Sequence, residues 1–349
     1  MRKLFLCLSG KKTAYSGYEG SKINFKGAKV MKEKLVVSSS PHIRHLDTTS
    51  GIMLDVIIAL IPATAYSFFI FGLSAAAVVC TSVLSAIICE FLWNLILKKP
   101  QSVGDFSAIV TGLILGLNLP PKTPLYVAAI GSLVAIIVVK QMFGGLGFNF
   151  VNPAVGARIV LLVSFPTAMA SMSSYLEPIT KVSVDTVTGA TPLMLYGKES
   201  APSIKELFFG MTSGAIGETS AFLLLVGGVY LVLRKVISPI IPLSFIGTVA
   251  LMTYLFSFSL NETLYFTLSG GLILGAVFMA TDYVTSPASK IGKLIFGIDC
   301  GLLTFVIRKW GNLPEGVSYS IILMNILSPQ IEKINLKKPF GLKEVKSNE

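Results

Sequence analysis

The sequence has little charge for its length. Only 13% of its 349 residues are charged and 53% are hydrophobic, whereas a soluble domain has about 25% charged residues. This composition indicates a membrane protein. The net charge of +11 raises the question of nucleic acid, but the chain has neither a basic patch interleaved with aromatic residues nor a nucleic-acid motif. We therefore expect no nucleic-acid partner.

Residues that hold metals or haem are scarce. The chain has four cysteines, and because none forms a Cys-x-x-Cys pair, neither a zinc site nor a complete iron–sulfur site is supported. Its two histidines, His42 and His45, are too few for a bundle that binds haem through paired axial histidines. No Ser/His/Asp or Cys/His nucleophilic arrangement is visible. We expect no metal site and no hydrolase chemistry.

Long apolar runs make up most of the chain and predict ten helices. A membrane-crossing helix needs about 20 residues, so the fifth and tenth segments are short and are expected to be tilted, extended or partly re-entrant. The predicted helices span about 51–71, 74–97, 103–119, 124–140, 154–165, 220–236, 241–258, 264–281, 291–308 and 317–331.

The distribution of positive charge predicts the orientation. If both ends are cytoplasmic, 23 of the 29 Lys and Arg residues fall on the cytoplasmic side, as the positive-inside rule requires. The long connection between the fifth and sixth helices is then extracytoplasmic.

A short internal repeat divides the apolar runs into two halves. Gly112-Leu-Ile-Leu-Gly116 recurs as Gly271-Leu-Ile-Leu-Gly275, each copy in the third helix of five. An odd number of crossings per half makes the halves inverted repeats, as in many transporters. The predicted fold is an all-α polytopic membrane protein with about ten helices in two inverted five-helix repeats. Its predicted segments are a disordered or mis-called tail (1–34), a first repeat (35–165), an extracytoplasmic connection (166–219), a second repeat (220–333) and a basic cytoplasmic tail (334–349).

One polar stretch in the long connection contains the candidate residues for chemical modification. It reads Asp185-Thr-Val-Thr-Gly-Ala-Thr191-Pro192 and offers an acid, hydroxyls and a backbone with little side-chain bulk. Such Thr/Gly/Pro clusters are common in ordinary turns. A hydroxyl is a poor nucleophile unless a base, metal or enzyme activates it, so Thr191 is a better candidate for modification than for catalysis.

The pattern Asp-x-x-Thr-Gly-Ala-Thr closely resembles the flavinylation motif of the RnfD family, the D component of the Rnf complex, and of the related membrane component B of the sodium-translocating NADH:quinone reductase. The resemblance implies covalent FMN, joined to Thr191 through a phosphoester by a flavin transferase that uses FAD and magnesium. Asp185, Thr188, Gly189 and Ala190 would then form the recognition sequence.

A second stretch is also similar to the start of RnfD proteins. It comprises Ser40 to Arg44, Thr48-Thr49 and Ile52 to Ala63. This resemblance implies a subunit of an ion-translocating ferredoxin:NAD oxidoreductase in the bacterial inner membrane, surrounded by lipid and by other subunits of the complex. It would pass electrons and couple their transfer to the export of sodium ions or protons.

The interval Gly144 to Pro153, which contains three glycines and Asn152-Pro153, interrupts the apolar pattern between the fourth and fifth helices. No strand precedes it and no Lys-Ser/Thr follows, so a phosphate loop is a poor interpretation. A re-entrant or broken-helix element that lines a cavity fits better. The family also binds riboflavin without a covalent bond, and the sequence does not assign its contacts.

Acidic residues within or beside apolar runs are candidates for an ion path, because a charge at mid-membrane costs roughly 2.5–3.5 kcal/mol. The chosen candidates are Asp55, Asp105 and Asp282, and Glu90 and Asp299 share the pattern. The alternative is an interfacial position for each.

Two other functions are compatible with the sequence. A solute channel or carrier with a urea-transporter-like fold and no redox role is compatible with the repeat and the polar residues in the apolar runs, since a fold does not determine a function. A scaffold subunit that has lost its flavin is a weaker alternative, because Thr191 is present.

Overall fold

The computed structural model describes residues 48–170, 192–196, 201–218, 220–311 and 316–334. Within these ranges the chain forms helices, turns and loops and contains no strand, so the all-helical class is confirmed there. The predicted tail at 1–34, the parts 171–191, 197–200 and 219 of the connection at 166–219, and residues 335–349 lie outside the described residues.

Helices begin and end close to the predicted boundaries in the first half of the chain. They are α1 (Thr49–Ile96), α2 (Ser107–Leu117), α3 (Leu125–Leu133), which a π-helical segment continues (Val134–Gln141), α4 (Pro153–Ser164) and α5 (Pro166–Met169). Two predicted helices, 51–71 and 74–97, lie within α1, and the helical geometry is broken between them at Gly72, with φ 70° and ψ −153°. Glycine adopts positive φ without steric cost.

After α5, two short helices lie within the predicted connection and were not predicted, and the helices of the second half follow them. The elements are α6 (Pro192–Leu195), α7 (Ile204–Phe209), α8 (Ala221–Leu233), α9 (Ile240–Ser257), α10 (Leu260–Leu268), α11 (Leu272–Leu274) with a π-helical continuation (Gly275–Met279), α12 (Lys290–Trp310) and α13 (Gly316–Ile334). Ser203 begins α7 with a capping box, in which its hydroxyl accepts from the backbone of Glu206 and the Glu206 carboxylate accepts from the backbone of Ser203.

Both copies of the repeated pentapeptide follow a break in a helix. In the first half, Phe106 adopts a left-handed conformation between a 3₁₀ turn and α2. In the second half, Gly270 does so between α10 and α11 (φ 67°), and the chain bends there by 63°. The single helix predicted at 264–281 is therefore a broken pair.

The two copies approach one turn, Ile216–Glu218. A Cβ built on Gly217 would lie 2.7 Å from the Leu117 side chain and 3.1 Å from that of Leu274. Both leucines are completely buried. The second half of the chain thus packs against the first at a position that tolerates no side chain.

Close helix contact also depends on small residues. A Cβ on Gly112 would lie 2.8 Å from the Cα of Val83, so α2 lies directly against the backbone of α1. Ser82 donates to the Gly112 carbonyl at 2.8 Å, and Ser132 of α3 donates to the Ser82 carbonyl at 2.8 Å. Small residues with interhelical hydrogen bonds are typical of helix packing in membranes.

By length and composition, two described helices can cross a membrane, α1 and α9. The bent pair Leu260–Leu268 and Leu272–Met279 would be a third if it forms one span. Shorter apolar helices lie at Ser107–Leu117, Leu125–Gln141, Pro153–Ser164 and Ala221–Leu233. These helices agree with a membrane protein, while the number of ten crossings remains a prediction.

Candidate functional site

The predicted modification motif, Asp185 to Thr191, lies outside the described residues, and so do its members Thr188, Gly189 and Ala190. The next described residue is Pro192, which is buried and begins α6. The hydroxyl of Tyr265, on α10, donates to the Pro192 carbonyl at 2.7 Å. This bond fixes the residue that follows Thr191 against the second half of the fold.

A cavity of about 400 Å³ lies where both halves of the chain meet the glycine-containing loop. Its walls come from α1, α2, the loop, α8 and the segment after α11. Ligand pockets typically measure about 300–1,000 Å³ and combine apolar walls with a few polar groups. Here the polar lining residues include Thr111, Lys140, Asn149, Asn152 and Asp282.

The glycine-containing loop has no helical structure between Gly144 and Asn152, as predicted. Gly144, Gly145 and Gly147 have φ values of 127°, 97° and 92°, a region that side-chain-bearing residues rarely adopt. Asn152 ends the loop. Its Oδ1 accepts from the Ala154 amide at 3.0 Å, capping α4, and its Nδ2 donates to the Met279 carbonyl at 3.1 Å.

Asp282 is the predicted acid that lines the cavity. It lies in the turn after the π-helical segment, and Asn149 and Thr285 donate to its carboxylate at 3.4 and 3.2 Å. Burial raises the pKa of the Asp282 carboxyl above its ordinary value, although these hydrogen bonds act in the opposite direction. Asp282 therefore joins the loop of the first half to the second half.

Asp105 lies beside the cavity rather than in its wall. Its carboxylate accepts from the backbone amide of Ser107 at 2.9 Å and from the Ser107 hydroxyl, and Ser107 is a lining residue. Asp105 thus holds the first turn of α2 at the helix break.

Asp55 forms its contacts with residues that bind neither of the other two predicted acids. Its carboxylate accepts from the Tyr230 hydroxyl at 2.9 Å and from the Arg234 guanidinium at 3.2 Å. Both partners lie at the end of α8, so Asp55 joins α1 to the second half. The three predicted acids are not assembled into one cluster.

A buried ion pair, Glu90–Lys140, was not predicted. The ammonium of Lys140 lies 3.0 and 2.9 Å from the two carboxylate oxygens of Glu90 and 2.6 Å from the Ser107 hydroxyl. Ser102 and Gln141 also donate to Glu90. Both charges are almost inaccessible, and the pair connects α1 to the wall of the cavity.

A second buried ion pair lies near the contact between the halves. Arg158 of α4 donates to the side chain of Asn118 and lies 3.5 Å from Glu218. The Glu218 carboxylate lies 3.0 Å from the position of a Cβ on Gly271, where α11 begins. Glu90, Lys140 and Arg158 were visible in the sequence as charges within apolar runs, whereas Glu218 lies in the predicted connection. Sequence order does not reveal which of these charges meet.

Among the described residues, no group of three or more His, Cys, Asp or Glu side chains is arranged to hold a metal ion.

Comparison with known proteins identifies relatives along nearly the whole chain. Residues 36–341 match the profile of the family described as the NQR2, RnfD, RnfE family. The match includes the motif Asp185 to Thr191, the cavity and both buried ion pairs.

The individual relatives carry related names, and each is the D component of its complex. The one from a Na⁺-translocating ferredoxin:NAD⁺ oxidoreductase complex of Acetobacterium woodii is 46% identical over 317 residues, 89% of this chain and 97% of the relative. The one from a proton-translocating ferredoxin:NAD⁺ oxidoreductase complex of Clostridium ljungdahlii is 40% identical over 330 residues, 90% of this chain and 98% of the relative. The one from an ion-translocating oxidoreductase complex of Stutzerimonas stutzeri is 37% identical over 323 residues, 83% of this chain and 91% of the relative.

Proposed function

The chain belongs to the NQR2, RnfD, RnfE family, and we propose that it is a flavin-bearing membrane subunit of an ion-translocating ferredoxin:NAD oxidoreductase. One observation carries the proposal: the sequence Asp-x-x-Thr-Gly-Ala-Thr at 185–191 lies inside the matched range of a chain that is 46% identical to the D component of a complex so named. The protein passes electrons, and the complex couples their transfer to ion export.

The named relatives differ in the ion they move. One is named for Na⁺ and another for protons, at 46% and 40% identity. The proposal therefore includes both sodium ions and protons as the coupling ion and does not choose between them.

The proposed topology places ten crossings in two inverted five-helix repeats in the bacterial inner membrane. Both ends are cytoplasmic and Thr191 is extracytoplasmic. Support comes from the positive-inside distribution and from the matching breaks before α2 and α11. Membrane lipid surrounds the helices, and the other subunits of the complex and a flavin transferase are the protein partners.

Two flavins are proposed as cofactors, covalent FMN on Thr191 and riboflavin without a covalent bond. A bound flavin supplies a group that accepts and donates one or two electrons, while the protein determines its position and electrostatic environment. The cavity fits a riboflavin-sized ligand by volume. Ile52 and Phe278 offer apolar wall, and Asn149, Asn152 and Thr111 offer hydrogen-bonding groups.

Asp55, Asp105 and Asp282 remain the proposed acids of an ion path. Asp282 fits this role best because it lines the cavity. Asp55 fits it least, because Tyr230 and Arg234 already engage its carboxylate. Vesicles that contain the complex with Asp282→Asn should lose coupled ion transport. Unchanged transport in that variant would remove Asp282 from the path.

A solute channel is the second candidate function. The cavity and the two broken helices favour it, because discontinuous helices form the binding sites of many transporters. The two functions differ in one property, since a channel needs no covalent flavin.

The test is in-gel flavin fluorescence of denatured membranes that contain the chain and an active flavin transferase. The wild-type band should fluoresce and a Thr191→Ala band should not. Thr186→Ala, which removes a nearby hydroxyl outside the recognition sequence, is the control and should fluoresce like the wild type. A dark wild-type band, with the transferase active on another substrate, would contradict the redox proposal and favour the channel.

A further inference from the structure

An open groove lies beside α6, the short helix that follows Thr191. It has a volume of about 390 Å³, and its lining includes Tyr196, Ser203, Lys205, Asn261 and Tyr265. It is separate from the cavity described above, because the two share no lining residue.

One wall of the groove belongs to an aromatic cluster. The ring of Tyr196 lies 5.0 Å from that of Tyr265 and 5.3 Å from that of Phe266, between ring centroids. Tyr265 is 4% exposed, whereas Tyr196 is 39% exposed. Aromatic pairs at such distances are favourable beyond the area they bury. The cluster is therefore anchored on its inner side and presents a ring on its outer side.

The ring of Tyr196 is held on its inner side. Desolvation and the charge of the neighbouring Glu262 carboxylate raise the pKa of Tyr196. Its ring packs on Tyr265, whose own hydroxyl donates to Pro192. An exposed ring with a fixed orientation is suited to stacking on another flat ring.

The groove lies within reach of Thr191. Consecutive Cα atoms are about 3.8 Å apart, and Thr191 immediately precedes Pro192, whose carbonyl is bonded to Tyr265 at 2.7 Å. A group attached to the Thr191 hydroxyl therefore has a high effective concentration at the groove, as any tethered ligand has near its anchor.

The chemistry of the lining matches a flat ring attached through a phosphodiester. Tyr196 offers a stacking face, and Asn261 and Ser203 offer hydrogen-bonding groups. Lys205, which is exposed, is the cation in this lining and can offset the negative charge of a phosphodiester. The Glu262 carboxylate lies next to Tyr196 and would repel a phosphodiester there. The phosphodiester is therefore placed more favourably beside Lys205.

We infer that this groove holds the isoalloxazine ring of a flavin tethered to Thr191, with Tyr196 as the stacking residue and Lys205 as the phosphate contact. The inference rests on the proposed function, since it requires the covalent flavin. It assigns the flavin a bound position on the second half of the fold instead of a free one in water.

The test uses full-length protein, flavinylated in cells and purified in detergent. Native flavin fluorescence anisotropy and quenching by iodide report whether the ring is held, and in-gel fluorescence after denaturation reports how much flavin is attached. Tyr196→Leu should lower the ratio of held to free flavin about fivefold, the size expected for one aromatic pair. Lys205→Met should lower it less, and the denatured signal should stay unchanged in both variants.

Matched controls come from the same chain. Tyr126→Leu removes another exposed tyrosine, 61% exposed and in contact with Phe165, and Lys122→Met removes another lysine outside the groove. Both should leave anisotropy and quenching at the wild-type values.

The outcomes separate the two proposals. Wild-type anisotropy and quenching in both Tyr196→Leu and Lys205→Met would overturn the groove assignment while leaving covalent FMN intact. A loss of attached flavin in Tyr196→Leu would assign the residue to recognition by the transferase and would also overturn it. A dark wild-type band in the denatured gel would instead refute the proposed function.

Discussion

Two ion pairs that involve α1 differ in their exposure to solvent. In the pair Glu90–Lys140, the side chains are 0% and 3% exposed. Ser102 and Gln141 donate hydrogen bonds to Glu90, and Ser107 accepts one from Lys140. In the pair Asp55–Arg234, the side chains are 10% and 58% exposed. Desolvation of two charges is costly, and breaking a buried pair leaves one charge without compensation. The first pair should therefore be far less tolerant of change than the second.

Removing one charge of the buried pair should have the largest effect. Lys140→Met leaves the Glu90 carboxylate buried without its counter-charge and should destabilise the protein by about 3–5 kcal/mol. The measurement is the midpoint of thermal unfolding in detergent, followed by size-exclusion chromatography of the purified protein.

The double variant Glu90→Gln/Lys140→Met isolates the charge from the packing. It removes both charges while keeping similar side-chain volumes, so its midpoint should return most of the way towards wild type. If the double variant is as unstable as Lys140→Met, packing around Lys140 and not the unpaired charge is responsible, and the comparison fails.

Two glycines extend the same contrast between buried and exposed positions. Gly112→Leu places a side chain against the backbone of α1, where even a Cβ would lie 2.8 Å from the Val83 Cα. Overpacking of this kind typically costs about 1–3 kcal/mol, and backbone cannot move aside as a flexible side chain can.

Gly247→Leu is the matched control on α9. No atom lies within 4 Å of a Cβ built there, and glycine is a poor helix former, so this variant should be neutral or slightly stabilising. The unfolding midpoints of the two leucine variants test the contrast. Equal midpoints would mean that α2 can move away from α1.

The exposed pair should give the smallest effect. Asp55→Asn removes the charge attraction to Arg234 but keeps an acceptor for Tyr230, and partly exposed pairs are worth about 0–1 kcal/mol. Arg234→Gln should change the unfolding midpoint by a similar small amount. A loss of stability as large as that of Lys140→Met would show that burial does not rank these pairs.

The sequence predicts the helices well because their signals are local. Each of the ten apolar runs coincides with a helix or a broken pair, and the boundary predicted between 71 and 74 falls at the break at Gly72. Deviations occur where tertiary contact determines the backbone. The segment 264–281 breaks at Gly270, and the π-helical turns at Val134–Gln141 and Gly275–Met279 have no simple sequence pattern.

The candidate site was predictable in part. The loop at 144–152 and the acid Asp282 were identified from the sequence, and they meet in the cavity. The sequence did not predict which distant residues contact each other. Glu90 and Lys140 are 50 residues apart, and Tyr265 lies 73 residues from Pro192, so only the packed helices reveal these contacts.

The most direct measurement is mass spectrometry of the tryptic peptide between Lys181 and Lys198 from protein made with an active flavin transferase. Fragmentation of this peptide distinguishes Thr191 from the other hydroxyls, Ser183, Thr186, Thr188 and Tyr196. The account predicts FMN on Thr191 through its phosphate. An unmodified peptide, or FMN on a different residue, would contradict it.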